Sequence, residues 1–128
     1  MSSKTRGLSL MEVMITLVIV AIIAGLAYPR YQKMIARSKQ TEAKTILRAI
    51  FVGQDLYKTM NQKYSAVLEA LDIEIPQDAK YRYSVMTKDK GATYVATAAA
   101  NIDGDPTLDE WQIDQNNNLV NSTNDVLE

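Results

Sequence analysis

The feature that most limits what this chain can become is a run of 20 residues near its start, Leu8 to Ala27. Only Ser9, Glu12, Thr16 and Gly25 in it are not apolar. At about 1.5 Å per residue a helix of that length is roughly 30 Å long, which matches the hydrocarbon core of a bilayer. A buried core helix can have the same composition. The position of the run, directly behind a short polar segment carrying Lys4 and Arg6, favours a membrane instead. A secretory signal peptide is the serious competitor, with Gly25-Leu26-Ala27 as a small-residue cleavage site and a mature chain starting at Tyr28. Two features argue against it: the run exceeds the usual apolar region of a signal, and Glu12 lies inside it. A carboxylate at the centre of a membrane helix costs on the order of 2.5–3.5 kcal/mol, and a disposable segment gains nothing from that. An acid in this place is a functional candidate, and the question is what partners it.

The remaining composition excludes much chemistry. The chain has 128 residues, room for one domain, and a formal charge of −1, so it lacks the basic footprint of a nucleic-acid binder. It has no cysteine and no histidine, which removes disulfides, thiol nucleophiles, the commonest general base and the commonest metal ligand. The five glycines stand singly, at 7, 25, 53, 91 and 104, and form no phosphate-binding loop. Carboxylate pairs occur at Asp103 with Asp105 and at Asp109 with Glu110, in a hydrophilic stretch where solvation explains them. No catalytic residue is assigned, and the chain is not expected to be an enzyme.

Gly7-Leu8-Ser9-Leu10-Met11-Glu12 followed by the apolar run, with Pro29 just beyond it, resembles the processing motif of type IV pilins and type II secretion pseudopilins. The resemblance implies a leader, residues 1–7, removed by a prepilin peptidase that cuts between Gly7 and Leu8 and methylates the new amino terminus on Leu8. It implies that Glu12 neutralises the terminal amine of a neighbouring copy during assembly, and that Pro29 loosens the helix for filament packing. Leu8 stands where phenylalanine is commoner, and Ser9 where threonine is. Lys4 and Arg6 place the leader in the cytoplasm, whereas Arg30, Lys33, Arg37 and Lys39 beyond the run count the other way. The processing motif decides for a cytoplasmic leader.

After Pro29 the pattern stays helical to about Asn61. Ala43, Ile46, Ile50, Gly53 and Tyr57 share one face, and Lys33, Arg37, Lys44 and Arg48 share an opposed one. Residues 8–29 are thus expected as a transmembrane or filament-core helix and residues 30–61 as its amphipathic continuation, roughly 80 Å in all if straight. The apolar face is too small to be stable alone and needs cover from the downstream chain. Gly53 would let a packed element approach closely. The basic face is either a solvated surface or a complement to acids elsewhere: Asn101 to Glu128 holds seven acids and no Lys or Arg.

Residues 62–128 are expected to form a small antiparallel sheet of three or four strands with an acidic loop. Tyr81, Tyr83 and Val85 alternate with polar residues as a half-buried strand, Met86 to Ala92 is read as a turn, and Thr93 to Ala99 as the returning strand. Trp111 and Ile113 mark a third strand, and Asn116 to Asn118 turn into Leu119-Val120. The fold class is α+β, with the core supplied by Trp111, the tyrosines and the helix face. From Asn101 to Asp109 oxygen-bearing side chains stand at every second position, as in a calcium loop. Pro106 and Gln112 exclude an EF-hand and leave a looser site or a plain Asp/Gly/Pro turn.

The resemblance implies a structural subunit of an extracellular type IV pilus. It would be held in the inner membrane as a single-pass precursor with its C-terminal part periplasmic, and polymerised through its first helix. Its partners would be copies of itself, the prepilin peptidase and the inner-membrane assembly machinery. The tail Asp109-Glu-Trp111-Gln-Ile113-Asp resembles that of cysteine-free pilins. The alternatives are a type II secretion pseudopilin building a periplasmic pseudopilus, and a secreted soluble binding module.

Overall fold

The computed structural model of the chain describes residues 7–126. Of the expected leader only Gly7 falls among them; Lys4, Arg6 and the acid Glu128 lie outside. One long helix, α1 (Leu10–Asn61), is followed by four strands: β1 (Arg82–Lys88), β2 (Thr93–Ala100), β3 (Asp109–Asp114) and β4 (Leu119–Thr123). Single 3-10 turns occupy Leu68–Ala70 and Asp89–Gly91. This is the expected α+β class. Backbone contacts divide the chain into two units, the first ending at Met34 and the second beginning at Ile35.

In the first unit the helix starts at Leu10, two residues later than expected from the apolar run. The cause is local. Ser9-Leu-Met-Glu12 is a capping box: the Ser9 backbone N–H donates to Glu12 Oε2 at 2.8 Å, and the Glu12 N–H donates to Ser9 Oγ at 3.2 Å. Two otherwise orphaned helix donors are satisfied reciprocally, and the chain before Ser9 is left outside the helix. Every residue from Gly7 to Met34 is exposed, and the helix is long and apolar enough to cross a membrane. It runs unbroken through Pro29. Proline there has no N–H to offer the carbonyl of Gly25 four residues back.

In the second unit α1 buries Ala36, Gln40, Ala43, Ile46, Leu47, Ile50, Gly53 and Gln54, a stripe at helical spacing. It contains the expected apolar face, with Tyr57 half-buried at its edge, and adds Ala36, Leu47 and two glutamines. The sheet is a meander of order β1-β2-β3-β4 with every neighbouring pair antiparallel. Along β2 burial alternates strictly, turning Tyr94, Ala96, Ala98 and Ala100 inward. The three alanines leave room on that face, and Leu47 and Ile50 of the helix join Tyr94 and Ile113 in one core. Gly53 acts as anticipated: a Cβ there would stand 3.0 Å from Ile73 Cγ2 and 3.3 Å from Leu71 Cβ, so the segment after the helix lies directly on its backbone.

Two strand boundaries differ from the sequence reading. β1 continues through Met86, Thr87 and Lys88, which the sequence places in the turn, and β4 extends past Val120 to Thr123. The β1–β2 connection is tighter than its polar residues suggest. Asp89, Lys90 and Gly91 take left-handed φ values of 52°, 58° and 89°. Glycine is required at 91 for a second reason, since a Cβ would meet the Tyr64 carbonyl oxygen at 3.2 Å. The Gly91 carbonyl in turn accepts the Tyr64 N–H at 2.9 Å.

The helix and sheet are joined by a buried carboxylate. Asp109 is fully buried. Its Oδ1 accepts from Gln40 Nε2 at 2.9 Å, Asn121 Nδ2 at 3.1 Å and the Asp125 backbone N–H at 3.1 Å; its Oδ2 accepts from the Tyr81 hydroxyl at 2.6 Å and Trp111 Nε1 at 2.8 Å. Burial pushes this carboxyl up, but the hydrogen bonds from Tyr81, Asp125, Asn121 and Gln40 outweigh it and hold the group below its ordinary value near 3.8. Burial, then the bond to Asp109, raises the Tyr81 hydroxyl. A second polar clamp closes the helix end, where Gln54 donates to the Ser65 carbonyl at 2.7 Å and accepts the Ser65 N–H at 2.8 Å.

A carboxyl whose folded pKa is depressed contributes stability that is present above about pH 4 and is lost as pH falls through the lowered folded value. Asp109→Asn replaces one acceptor oxygen by a donor amide facing donors, and it is expected to cost about 3 kcal/mol. Thermal melts of wild type and variant between pH 7 and pH 2, in chelator, check this. The gap between them is expected to be widest near neutrality and to shrink at the acid end.

Candidate functional site

Two places carry chemistry beyond packing. The first is the start of α1. Gly7 and Leu8 are exposed and lie outside the helix, so the bond between them sits in non-helical chain just ahead of the Ser9 cap. Glu12 stands in the first turn and its backbone carbonyl accepts the Thr16 hydroxyl at 2.7 Å. Its carboxylate is exposed, its hydrogen-bond donor is the neutral Ser9 N–H, and no cation pairs with it among the described residues. An acid capping its own helix remains free to face a cation, and the positive end of the helix dipole favours it there. Pro29 lies far along the same helix. The part played by Ser9 was absent from the sequence reading, although the pattern serine, two residues, glutamate is the signature of a capping box.

The second place is the loop between β2 and β3. Asp103, Asp105 and Asp125 each offer a carboxylate oxygen within 4.8 Å of the others. Asp125 is only 3% exposed; its Oδ2 accepts the Ile102 N–H at 3.2 Å, and its Oδ1 is buried with no partner among the described residues. Burial, then the charges of Asp103 and Asp105, pushes the Asp125 carboxyl up from its ordinary value. The loop is shaped by its own side chains. Asn101 Nδ2 donates to the Asp105 carbonyl, Gly104 N–H donates to Asn101 Oδ1 at 2.8 Å, and Thr107 N–H donates to Asp105 Oδ1 at 2.6 Å. The alternating oxygens read from the sequence are thus divided: Asp103 and Asp105 converge, while Asp109 turns into the core. Calcium is bound by six to eight oxygens at about 2.3–2.6 Å, largely from carboxylates and carbonyls. The three carboxylates, with the buried Asp125 Oδ1 lacking a partner among the described residues, could supply part of such a ligand set.

The basic helix face is also divided. Arg37 and Arg48 are exposed. Lys39 donates to the Ile102 carbonyl at 3.0 Å, at the edge of the acidic loop, and Lys44 lies 4.5 Å from the centre of the Trp111 ring. Neither contact is to an acid: Lys39, beside the expected basic face, meets a backbone carbonyl, and Lys44 serves the core through a cation–π contact.

Residues 2–28 match the prokaryotic N-terminal methylation motif, and residues 40–112 match the type IV pilin-like G and H family. The chain is 35% identical over 82 residues to the type IV major pilin protein PilA of Myxococcus xanthus, covering 64% of this chain and 37% of that protein. It is 31% identical over 93 residues to the fimbrial protein EcpC of Eikenella corrodens (73% and 61%), and 33% over 69 residues to the type II secretion system core protein G of Pseudomonas aeruginosa (54% and 49%). It therefore spans less than two thirds of the length of each of these relatives. A solved type IV pilin from Shewanella oneidensis shares the fold, with a TM-score of 0.53 over 73% of this chain and 98% of that one, at 16% identity. The methylation motif covers Gly7, Leu8 and Glu12, and the pilin-like match covers the buried half of α1 and most of the sheet; the chain belongs to the type IV pilin-like family.

Proposed function

We propose that this chain is the structural subunit of a type IV pilus, with its work in assembly rather than catalysis. The observation that carries the reading is the coincidence, in one segment, of the methylation motif with an exposed, membrane-length stretch of helix up to Met34, whose single acid, Glu12, caps the helix and meets no cation among the described residues. In this reading the peptidase cuts between Gly7 and Leu8, and Leu8 becomes the methylated terminus. The precursor waits in the inner membrane with its C-terminal part periplasmic, and the apolar helices of many copies pack together as the filament leaves the cell. Glu12 supplies the charge that receives a neighbour's terminal amine, and Pro29 supplies local give. A periplasmic pseudopilus is the second reading, supported by the similarity to the secretion core protein G. Filaments in the sheared cell-surface fraction separate the two.

The substitution Glu12→Gln tests the assembly role, because glutamine also serves in a capping box. The helix start is retained and only the charge is lost. Sheared filament is expected to fall at least about tenfold, in keeping with the loss of a desolvated charge pair, while precursor accumulates in the membrane. Normal filament yield from this variant would reduce Glu12 to a helix cap.

The cluster of Asp103, Asp105 and Asp125 supports a calcium site in the same reading. A divalent cation there would relieve the mutual repulsion of the three carboxylates and give Asp125 Oδ1 the partner it lacks. The full chain in detergent is expected to melt higher by several degrees in millimolar calcium than in chelator, as ligand linkage requires, and Asp125→Asn is expected to abolish the difference. Equal melting temperatures with and without calcium would reduce the loop to a turn.

A further inference from the structure

Where the apolar run of α1 ends, the helix carries a hollow of about 850 Å³ on one face. Its floor is Ala27, whose methyl is too short to fill the space above it. The surface neighbours of a helical residue stand three, four and seven positions away. For Ala27 these include Ile23, Arg30, Tyr31 and Met34, which wall the hollow together with Leu26, and Pro29 completes the lining. All of these residues belong to the first unit, and all are exposed. The volume is that of an ordinary ligand site, ~300–1,000 Å³.

The walls change in kind along the helix. Toward Ile23 and Leu26 they are wholly apolar; toward Arg30 and Tyr31 they offer a guanidinium and a phenol. Neither of those two side chains has a hydrogen-bond partner among the described residues, and no acid stands between Glu12 and Glu42 in the sequence. A second hollow nearer the start of the run, about 340 Å³ among Met11, Met14, Ile15, Val18 and Ile19, has no charged side chain at all. The run from Leu8 to Ala27 matches the hydrocarbon thickness, so Arg30 stands roughly 5 Å beyond it, in the headgroup layer. A guanidinium there can give a phosphate two parallel hydrogen bonds. In the proposed orientation Arg30 also follows the run on the translocated side, where basic residues are ordinarily depleted. A bound anion offsets that placement.

We propose that this hollow holds one anionic phospholipid while the subunit is in the membrane. An acyl chain lies along Ile23, Leu26 and Ala27, and Arg30 binds the headgroup phosphate, with the Tyr31 hydroxyl as a further donor. The apolar end and the charged end are arranged in the order in which a lipid presents its chain and its phosphate. Lys33 carries the same charge as Arg30 one turn further on but is not part of the lining. A lipid held in this way fixes the depth at which the helix sits. The inference rests on the proposed function in one respect, that the run lies in a bilayer before assembly. In that reading other copies of the helix cover the same face afterwards, so the lipid belongs to the subunit before it joins the filament.

Native mass spectrometry of the full chain released from nanodiscs tests this, with phosphatidylglycerol and phosphatidylcholine present in equal parts. Phosphatidylcholine carries the same phosphate but neutralises it with its own choline. One phosphatidylglycerol is expected to stay on the chain, preferred at least about fivefold, the effect of one basic residue at an anionic lipid surface. Arg30→Gln is expected to remove the preference and Lys33→Gln to leave most of it. Ala27→Phe fills the floor of the hollow, keeps every charge, and is expected to lose the lipid. Undiminished retention by Ala27→Phe, or equal losses from Arg30→Gln and Lys33→Gln, would reduce the binding to diffuse charge attraction and overturn the site. Displacement of the lipid by inorganic phosphate would overturn it too, since Arg30 alone would then suffice. Filaments from a subunit that retains no lipid sink this inference and leave the pilus reading standing, whereas a mature chain starting at Tyr28 sinks that reading instead.

Discussion

The constraint on which the rest depends is the unburied first part of α1. Every residue there up to Met34 is exposed, and most are large and apolar. Keeping some sixteen such side chains in water costs on the order of 30 kcal/mol, well above the 5–15 kcal/mol that holds a typical domain together. Something outside the chain must cover them. In the proposed reading a bilayer would do so before assembly, and other copies of the same helix afterwards. The single acid within this run, Glu12, is the residue on which the proposed contact with a neighbouring copy rests.

The second unit answers the complementary problem of staying folded without disulfides. Its helix segment brings a stripe of apolar residues with two glutamines set into it, and each glutamine is satisfied by the downstream chain: Gln40 through Asp109 and Asn124, Gln54 through Ser65. Asp109 gathers donors from the helix, from Tyr81, from its own strand, from β4 and from the segment beyond it. A buried carboxylate met by five donors fixes one arrangement of helix, sheet and tail, since any slip of register leaves a charge unpaired in the core. Tyr64 stacking edge-on against Tyr94 and Lys44 over Trp111 fill out the remaining core.

The front of the chain was legible because its information is one-dimensional: the length of an apolar run, an acid within it, a glycine before it and a proline after it. The helical stripe and the alternation of Tyr81, Tyr83 and Val85 were legible for the same reason, since both are periods along the sequence. What sequence could not supply were partners gathered from distant positions. Asp109 was one of five alternating oxygens, and only the fold separates it from Asp103 and Asp105 and gives those two Asp125. Met86 to Lys88 looked like turn because the residues after them are polar, yet the turn closes in four residues through left-handed backbone at Asp89, Lys90 and Gly91. Lys44 shared a face with Arg37 and Arg48, but its long stem carries its ammonium over to Trp111. Ser9 is the opposite case: its capping pattern was written in the sequence and was overshadowed by the apolar run around it.

The central claim is that the apolar run stays on the mature subunit, whose chain begins at Leu8. The intact mass of the subunit recovered from the cell tests this most directly. The account predicts a chain that starts at Leu8 and carries one added methyl group on its amino terminus. A chain starting at Tyr28, with the whole apolar run removed, would contradict it.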